Sequence, residues 1–213
     1  MTINFIGVIV PLSILLPIII ALIKWRSLPP QAKIISWYLL VTAVISFAAL
    51  IIGKYFHTNN LPLVHLLTAL ETIILLWYYN VLFGDKTNNT FYILLATGFV
   101  LFCIINALFI QSIYTYSSYT RSVEAIICML FALNYFARLA SGKGEGRVIT
   151  QPDFYFNTGI FLYFSGAFIL FLFSNFIITN LSKTNFFIIW NIHGALVLLM
   201  YILFSIAFAL CKK

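Results

Sequence analysis

Long apolar runs divide this chain of 213 residues into seven segments. A helix needs about 20 consecutive apolar residues to cross the hydrocarbon core of a bilayer, whereas a membrane β-barrel shows short segments of alternating polarity. The runs are continuous and cover residues 3–23, 34–53, 61–83, 91–110, 122–140, 154–179 and 186–210. The sequence therefore predicts an all-α, polytopic integral membrane protein, with residues 1–213 forming a single domain that is a bundle of seven transmembrane helices.

The composition agrees with the lipid bilayer as the main partner of the chain. Only 8% of the residues are charged and 63% are hydrophobic, whereas a soluble domain carries about 25% charged residues. A soluble globular enzyme is excluded on this ground. The net charge of +7 would suggest nucleic acid binding in a soluble protein. Here the basic residues are too few and too dispersed, and no nucleic acid partner is expected.

The positions of the basic residues predict an orientation. Three of them lie beside the second, fourth and sixth connections: Lys54, Arg121 and Lys183. Nine lie beside the odd-numbered connections and in the C-terminal tail: Lys24, Arg26, Lys33, Lys86, Arg138, Lys143, Arg147, Lys212 and Lys213. Since basic residues accumulate on the cytoplasmic side of membrane proteins, the N-terminus is predicted outside and the C-terminus in the cytoplasm. The predicted location is the cell membrane, as a multi-pass protein of a bacterial inner membrane.

Glu71 is the clearest candidate for a functional residue, because an ionisable group at membrane depth is costly. It lies ten residues into the third run, which places it about 15 Å below the predicted helix end. His65 and Thr68 precede it at spacings of three. The three side chains then occupy an arc of about 120° on the helix. The outer half of the third helix is therefore predicted to be polar on one side.

The fifth and seventh runs also begin with polar groups. Arg121 and Glu124 are three residues apart and can pair on one helix face. The sequence also allows Arg121 to turn inward toward Glu71 or an anionic ligand. In the seventh run, Trp190 and His193 share a face. Both pairs lie in the predicted outer halves of their helices.

Neutral polar residues extend this pattern to the fourth and sixth runs, with Asn106 and Asn175. The outer halves of five helices thus contribute polar groups, which predicts a polar cavity at or just beneath the outer surface. In the second run, a stripe of small residues is interpreted as a helix-packing seam: Thr42, Ser46, Ala49 and Gly53. The predicted ligand-binding residues are His65, Thr68, Glu71, Asn106, Arg121, Glu124, Asn175 and His193.

These observations favour a receptor-like or sensory protein that binds a small polar or amphipathic ligand and signals through a membrane or cytoplasmic partner. Catalysis is not predicted, although a metal-dependent intramembrane hydrolase is an alternative. Its possible ligands are of types suited to Zn or Fe: His65, Glu71, Glu124 and His193. Their spacing fits no metal motif.

An accessory subunit of a larger membrane complex and a proton-coupled transporter, with Glu71 as the carboxyl group, are further alternatives. Retinal is excluded, because the seventh run holds no lysine for a Schiff base before Lys212.

Overall fold

Helices account for every regular element in the computed structural model, which describes residues 5–84, 89–143 and 147–211. Seven helices in these ranges are long and apolar enough to cross a membrane. They are α1 (Phe5–Ile23), α2 (Pro30–Tyr55), α3 (Leu61–Phe83), α4 (Asn89–Ile110), α5 (Ser118–Gly142), α6 (Pro152–Leu172) and α7 (Lys183–Leu210). Their number and apolar surfaces are those of a multi-pass membrane protein, so the predicted all-α class and helix count are confirmed.

The predicted bounds of α3, residues 61–83, agree with the structure at both ends. Asn59 Oδ1 accepts a hydrogen bond of 2.9 Å from the Leu61 amide, and Pro62 lies in the first turn, where its missing N–H is not needed. Gly84 ends the helix with a positive φ of 64°, and its amide donates to the Asn80 carbonyl at 3.3 Å. Glycine adopts this left-handed conformation without strain.

Three other predicted starts are wrong by three or four residues. α2 begins at Pro30 rather than at 34, α5 at Ser118 rather than at 122, and α7 at Lys183 rather than at 186. The first turns of these helices carry polar or charged side chains. Hydrophobicity therefore rises only after the backbone has become helical, and a pattern based on apolar runs misses the first turn.

The predicted helix 154–179 is interrupted. α6 ends at Leu172, Phe173 leaves the helical conformation with ψ of 8°, and a short helix follows over Ser174–Asn180. The Ser174 hydroxyl donates to the Phe171 carbonyl at 2.8 Å. Serine bonded back to its own helix in this way is a known cause of bending.

The first helix is also irregular. The predicted start at residue 3 lies outside the described residues, and the described part opens with a wide π-helical turn over Phe5–Ile9. A second irregularity falls at Ile14, where Pro17 cannot donate an amide hydrogen bond to the preceding turn. α1 is therefore divided into an N-terminal half and a regular half, Leu15–Ile23.

Packing is tightest around α6, which lies between α5 and α7. Its phenylalanine rings Phe156, Phe164 and Phe171 are at most 1% exposed. α1 packs mainly on α7, whereas α4 contacts mainly α3 and leaves most of its surface exposed.

The connections alternate between the two ends of the bundle. At one end Lys24 donates to the carbonyls of Ala209 and Cys211, and Gln31 donates to Asp153 at 3.2 Å. At the other end, called here the N-terminal end, the Asn59 amide donates to the carbonyl of Tyr114 at 2.8 Å, which joins the second and fourth connections. Of the basic residues that predict the orientation, Lys86, Lys212 and Lys213 lie outside the described residues, as does the side chain of Lys143.

Candidate functional site

Arg121 lies between two carboxylates in the interior of the bundle. Its Nη1 is 2.8 Å from Glu71 Oε2 and 3.3 Å from Glu124 Oε2. Arg121 is 7% exposed, Glu71 3% and Glu124 0%. The predicted pair of Arg121 with Glu124 on its own helix is confirmed, and of the alternatives that the sequence leaves open for Arg121 the structure shows the inward contact with Glu71. These three residues are called the charge cluster below.

Threonine hydroxyls lie beside both carboxylates. Thr42 Oγ1 on α2 donates to Glu71 Oε1 at 2.9 Å. Thr72 Oγ1 on α3 is 3.2 Å from Glu124 Oε1 and 2.9 Å from the Thr68 carbonyl, and its single proton can serve one of the two at a time. Thr42, which the sequence assigns only to a packing seam, also donates a hydrogen bond from α2 to Glu71 of the neighbouring helix. Thr72 was not among the predicted residues, since a threonine beside a glutamate carries no signal of its own in an apolar run.

The charge cluster holds more negative than positive groups. Two carboxylates face one guanidinium, whose Cζ lies 5.4 Å from the ring centre of Phe171. Arg121 Nε is buried and has no hydrogen-bond partner among the described residues. Because buried charges must be compensated, the cluster can accommodate one further positive charge, either a proton or a cationic group.

The connection between α4 and α5 lies across the N-terminal end of the bundle. The carbonyl of Thr115 is 3.0 Å from His65 Nε2 on α3. Both backbone groups of Tyr116 bond to the Asn175 side chain, at 3.2 and 2.9 Å, and the Tyr116 ring packs edge-on against Trp190 of α7, with 6.0 Å between the ring centres. Tyr116 is only 8% exposed, so the connection closes the bundle above the charge cluster.

Asn175→Ala tests how firmly this connection is held. Removing both hydrogen bonds to Tyr116 is expected to cost about 1–3 kcal/mol and to loosen the connection, including the hydrogen bond from the Arg121 amide to the Ser117 carbonyl. Hydrogen–deuterium exchange in mild detergent should become faster over residues 111–121. Asn180→Ala is the control, because Asn180 is exposed and, among the described residues, bonds to the Phe176 carbonyl and the neighbouring Thr179 of its own helix. If residues 111–121 exchange at the same rate in the two variants, Asn175 does not have this role.

The remaining predicted residues lie around the charge cluster without joining it. Thr68 donates to the Val64 carbonyl of its own helix at 2.9 Å. Asn106 is fully buried at the end of α4 and bonds weakly to Gln111. His193 Nε2 is 3.4 Å from the Tyr163 hydroxyl.

The shared face predicted for Trp190 and His193 is confirmed. Their ring centres lie 5.3 Å apart, in an edge-on arrangement. The Phe171 ring, which also lies beside Arg121, is 5.7 Å from the His193 ring. Aromatic rings therefore separate His193 from direct contact with the charge cluster.

The possible metal ligands His65, Glu71, Glu124 and His193 do not come together. Both carboxylates bind Arg121, and each histidine has a different partner. Across the described ranges, no group of three or more His, Cys, Asp and Glu side chains is arranged to hold a metal ion.

A cavity of about 710 Å³ lies between α1, α2, α3 and α7 and reaches the charge cluster. Glu71 and Arg121 border it, together with Thr42 and His193. Glu124 is fully buried on the far side of Arg121, beside Thr72. Three tyrosines add further polar groups at the cavity wall: Tyr38, Tyr163 and Tyr201. The rest of the wall is mostly apolar.

The chain matches no protein-family model, and no curated protein or solved structure matches it. Its function must therefore follow from the geometry of the charge cluster and the cavity.

Proposed function

We propose that the protein is a receptor-like or sensory membrane protein that binds a small amphipathic ligand in the cavity beside the charge cluster. The observation that carries this proposal is a buried ion cluster that opens onto a largely apolar cavity of about 710 Å³. Small-molecule sites have this volume, an apolar lining and a few convergent polar groups.

The composition of the charge cluster supports a binding role over simple helix packing. A buried ion pair is weak evidence for stability, since well-packed apolar residues of similar volume often do as well or better. The cluster also has an excess carboxylate, since Glu71 and Glu124 face one guanidinium. A ligand head group that bonds to Glu71 at the cavity wall can balance it.

The position of the cluster suggests how binding is transmitted. The Arg121 amide bonds to the Ser117 carbonyl at 3.0 Å, so a shift of Arg121 on ligand binding moves the connection above it. In this proposal the N-terminal end faces outward, as the distribution of basic residues favours. The protein lies in the cell membrane, the inner membrane if the source is bacterial, and passes its signal to a membrane or cytoplasmic protein.

Proton-coupled transport is the second candidate, and the excess carboxylate of the charge cluster is the observation that favours it. A proton shared between Glu71 and Glu124 would balance Arg121. Proton uptake into vesicles that contain the reconstituted protein would support this candidate over a receptor.

Analysis of small molecules that copurify with the protein tests the proposed function. After purification from native membranes in mild detergent, the protein is expected to retain one amphipathic species in stoichiometric amount, identified by mass spectrometry. Glu71→Gln and Thr42→Val should each reduce its retention at least tenfold, which corresponds to about 1.4 kcal/mol, because both remove polar contacts at the end of the cavity.

Thr97→Val is the matched control for Thr42→Val, because Thr97 is exposed on α4, far from the cavity lining. It should leave the retained species unchanged. If the unaltered protein retains only the bulk lipids of the membrane, and Glu71→Gln retains the same mixture, the proposed function is wrong.

A further inference from the structure

The mouth of the cavity lies between the outer parts of α1 and α2. Cavity-lining side chains on both helices are highly exposed: Val8 at 49% and Leu12 at 56% on α1, Val44 at 67% and Phe47 at 65% on α2. These side chains are apolar. The opening between the two helices therefore presents hydrocarbon, and not polar groups, to its surroundings.

The two helices meet near their connection and are separated by the cavity farther away. Trp25 in the connection packs edge-on against Trp37 of α2, with 6.2 Å between ring centres. Beyond this contact most residues of α1 between Gly7 and Leu15 line the cavity. This part of α1 contains the irregular turn at Phe5–Ile9 and the interruption at Ile14, and a Cβ at Gly7 would meet nothing within 4 Å. The N-terminal half of α1 thus has an irregular backbone where it borders the cavity, while its Phe5 and Val10 side chains pack on α7 at Gly194.

The depth of the mouth places it beside lipid chains. On α2 the cavity-lining residues run from Tyr38 to Leu50, and the helix ends at Tyr55. At 1.5 Å per residue they lie about 7 to 26 Å from that helix end. The hydrocarbon core of a bilayer is about 30 Å thick, so an opening at this depth faces acyl chains in a membrane.

The charge cluster is covered at the N-terminal end of the bundle. The connection between α4 and α5 lies across that end, and Tyr116, Ser117 and Ser118 are at most 8% exposed. Asn175 holds this segment by both backbone groups of Tyr116. Among the residues that the structure describes, those of α1 and α2 give the cavity an apolar, exposed opening.

The charge cluster limits the head group that can bind at the inner end of the cavity. Among the described residues, Arg121 is the one guanidinium or ammonium group on the cavity wall, and it already bonds to two carboxylates. An anionic head group would add a third negative charge to one buried cation, which is unfavourable at low dielectric constant. A hydroxyl or an ammonium group can bond to Glu71 without this cost.

We propose that the ligand is a single-chain membrane amphipath whose head group is uncharged or positively charged, and that it enters laterally from the bilayer between α1 and α2. The proposal rests on the proposed function. It assigns the head group to Glu71 and Thr42 and the hydrocarbon chain to the apolar walls formed by α1 and α2. The lateral entrance takes the place of the opening at the outer surface that the sequence predicts for the cavity.

Photolabelling of the full-length protein in phosphatidylcholine vesicles tests both parts of this proposal. The probes are three hexadecyl chains with a photoreactive diazirine near the tail and different heads: an amine, an alcohol and a sulfate. The amine and the alcohol should label peptides of α1, α2 and α7 at the cavity. The sulfate, which remains anionic, should label them at least tenfold less. Equal labelling by the sulfate would overturn the head-group assignment.

Two variants test the lateral route. Leu12→Trp and Val44→Trp fill the mouth from its two sides and should each lower labelling of the cavity at least fivefold. Both positions are exposed, so the variants should fold, and their elution from a size-exclusion column checks this. Leu94→Trp is the matched control, because Leu94 is 66% exposed on α4 and does not border the cavity.

The outcomes of the labelling experiment bear on the route and the head group separately from the proposed function. If labelling is unchanged in Leu12→Trp and Val44→Trp, the lateral route is wrong, and binding in the cavity stands. If no probe labels the cavity, the inference is overturned as a whole. The copurification experiment then decides separately whether the cavity binds another small molecule.

Discussion

Arg121→Ala is expected to lower the midpoint of thermal unfolding more than any other single substitution in the charge cluster. The variant leaves Glu71 and Glu124 in the interior, at 3% and 0% exposure, without their common cation. Removing one member of a buried ion pair costs about 3–5 kcal/mol. For a chain of this length, this corresponds to a fall of roughly 6–20 °C in the midpoint. Tryptophan fluorescence during heating in mild detergent measures it.

A second arginine on the same helix supplies the control. Arg138 lies near the other end of α5, where its guanidinium is 4.3 Å from the ring centre of Phe83. Because Arg138 is partly exposed and charges at such sites are screened by solvent, Arg138→Ala should lower the midpoint less than Arg121→Ala does. If Arg121→Ala is no more destabilising than Arg138→Ala, the charge cluster does not hold the buried charges described here.

A triple variant distinguishes the effect of the buried charges on stability from the effect of side-chain packing. Arg121→Met combined with Glu71→Gln and Glu124→Gln removes every formal charge of the cluster and keeps most of its volume. It should be more stable than Arg121→Ala alone, because no uncompensated carboxylate remains in the interior. A triple variant as unstable as the single one would indicate that packing of the Arg121 side chain, and not its charge, is what matters.

Gly159→Leu is expected to have the second largest effect, by forcing α6 and α7 apart. A Cβ placed on Gly159 would lie 2.9 Å from a ring carbon of Phe204, and that ring is fully buried. Overpacking of this kind costs about 1–3 kcal/mol and more where the neighbour cannot yield. The yield of folded protein by size-exclusion chromatography and the midpoint of thermal unfolding measure the loss.

The same substitution on α4 is the matched control. At Gly98 a Cβ would meet nothing within 4 Å, and leucine is a better helix former than glycine by about 0.5–1 kcal/mol. Gly98→Leu should therefore be neutral or slightly stabilising. Similar losses from the two variants would mean that the close approach of α6 to α7 does not limit packing.

The sequence was sufficient to predict the seven helices and to single out Glu71, for related physical reasons. A run of about 20 apolar residues has few stable alternatives to a membrane helix. Within such runs a charged side chain is rare and must find a partner, but the sequence left Arg121 as one of several alternatives for Glu71, and the structure decides between them. The bounds of α3 were also predictable, because Pro62 and Gly84 mark its ends.

The rest of the site depends on contacts between distant segments, which apolar patterns do not encode. Thr42 belongs to a stripe of small residues that is equally typical of helix packing, and only its distance of 2.9 Å to Glu71 shows its role. His65 shares an arc of α3 with Glu71, yet it bonds to the carbonyl of Thr115. The position of that connection depends on Asn175 and Trp190, which lie about 60 and 75 residues farther along the chain.

The bond from Lys24 to the carbonyl at Ala209 has a consequence for biosynthesis. The two residues are 185 positions apart, and α1 packs mainly on α7. At translation rates of about 5–20 residues per second, roughly 10–40 s pass between the synthesis of α1 and that of its principal partner. During this interval α1 lacks the helix that later holds it, so the pocket takes shape only in the last stage of translation.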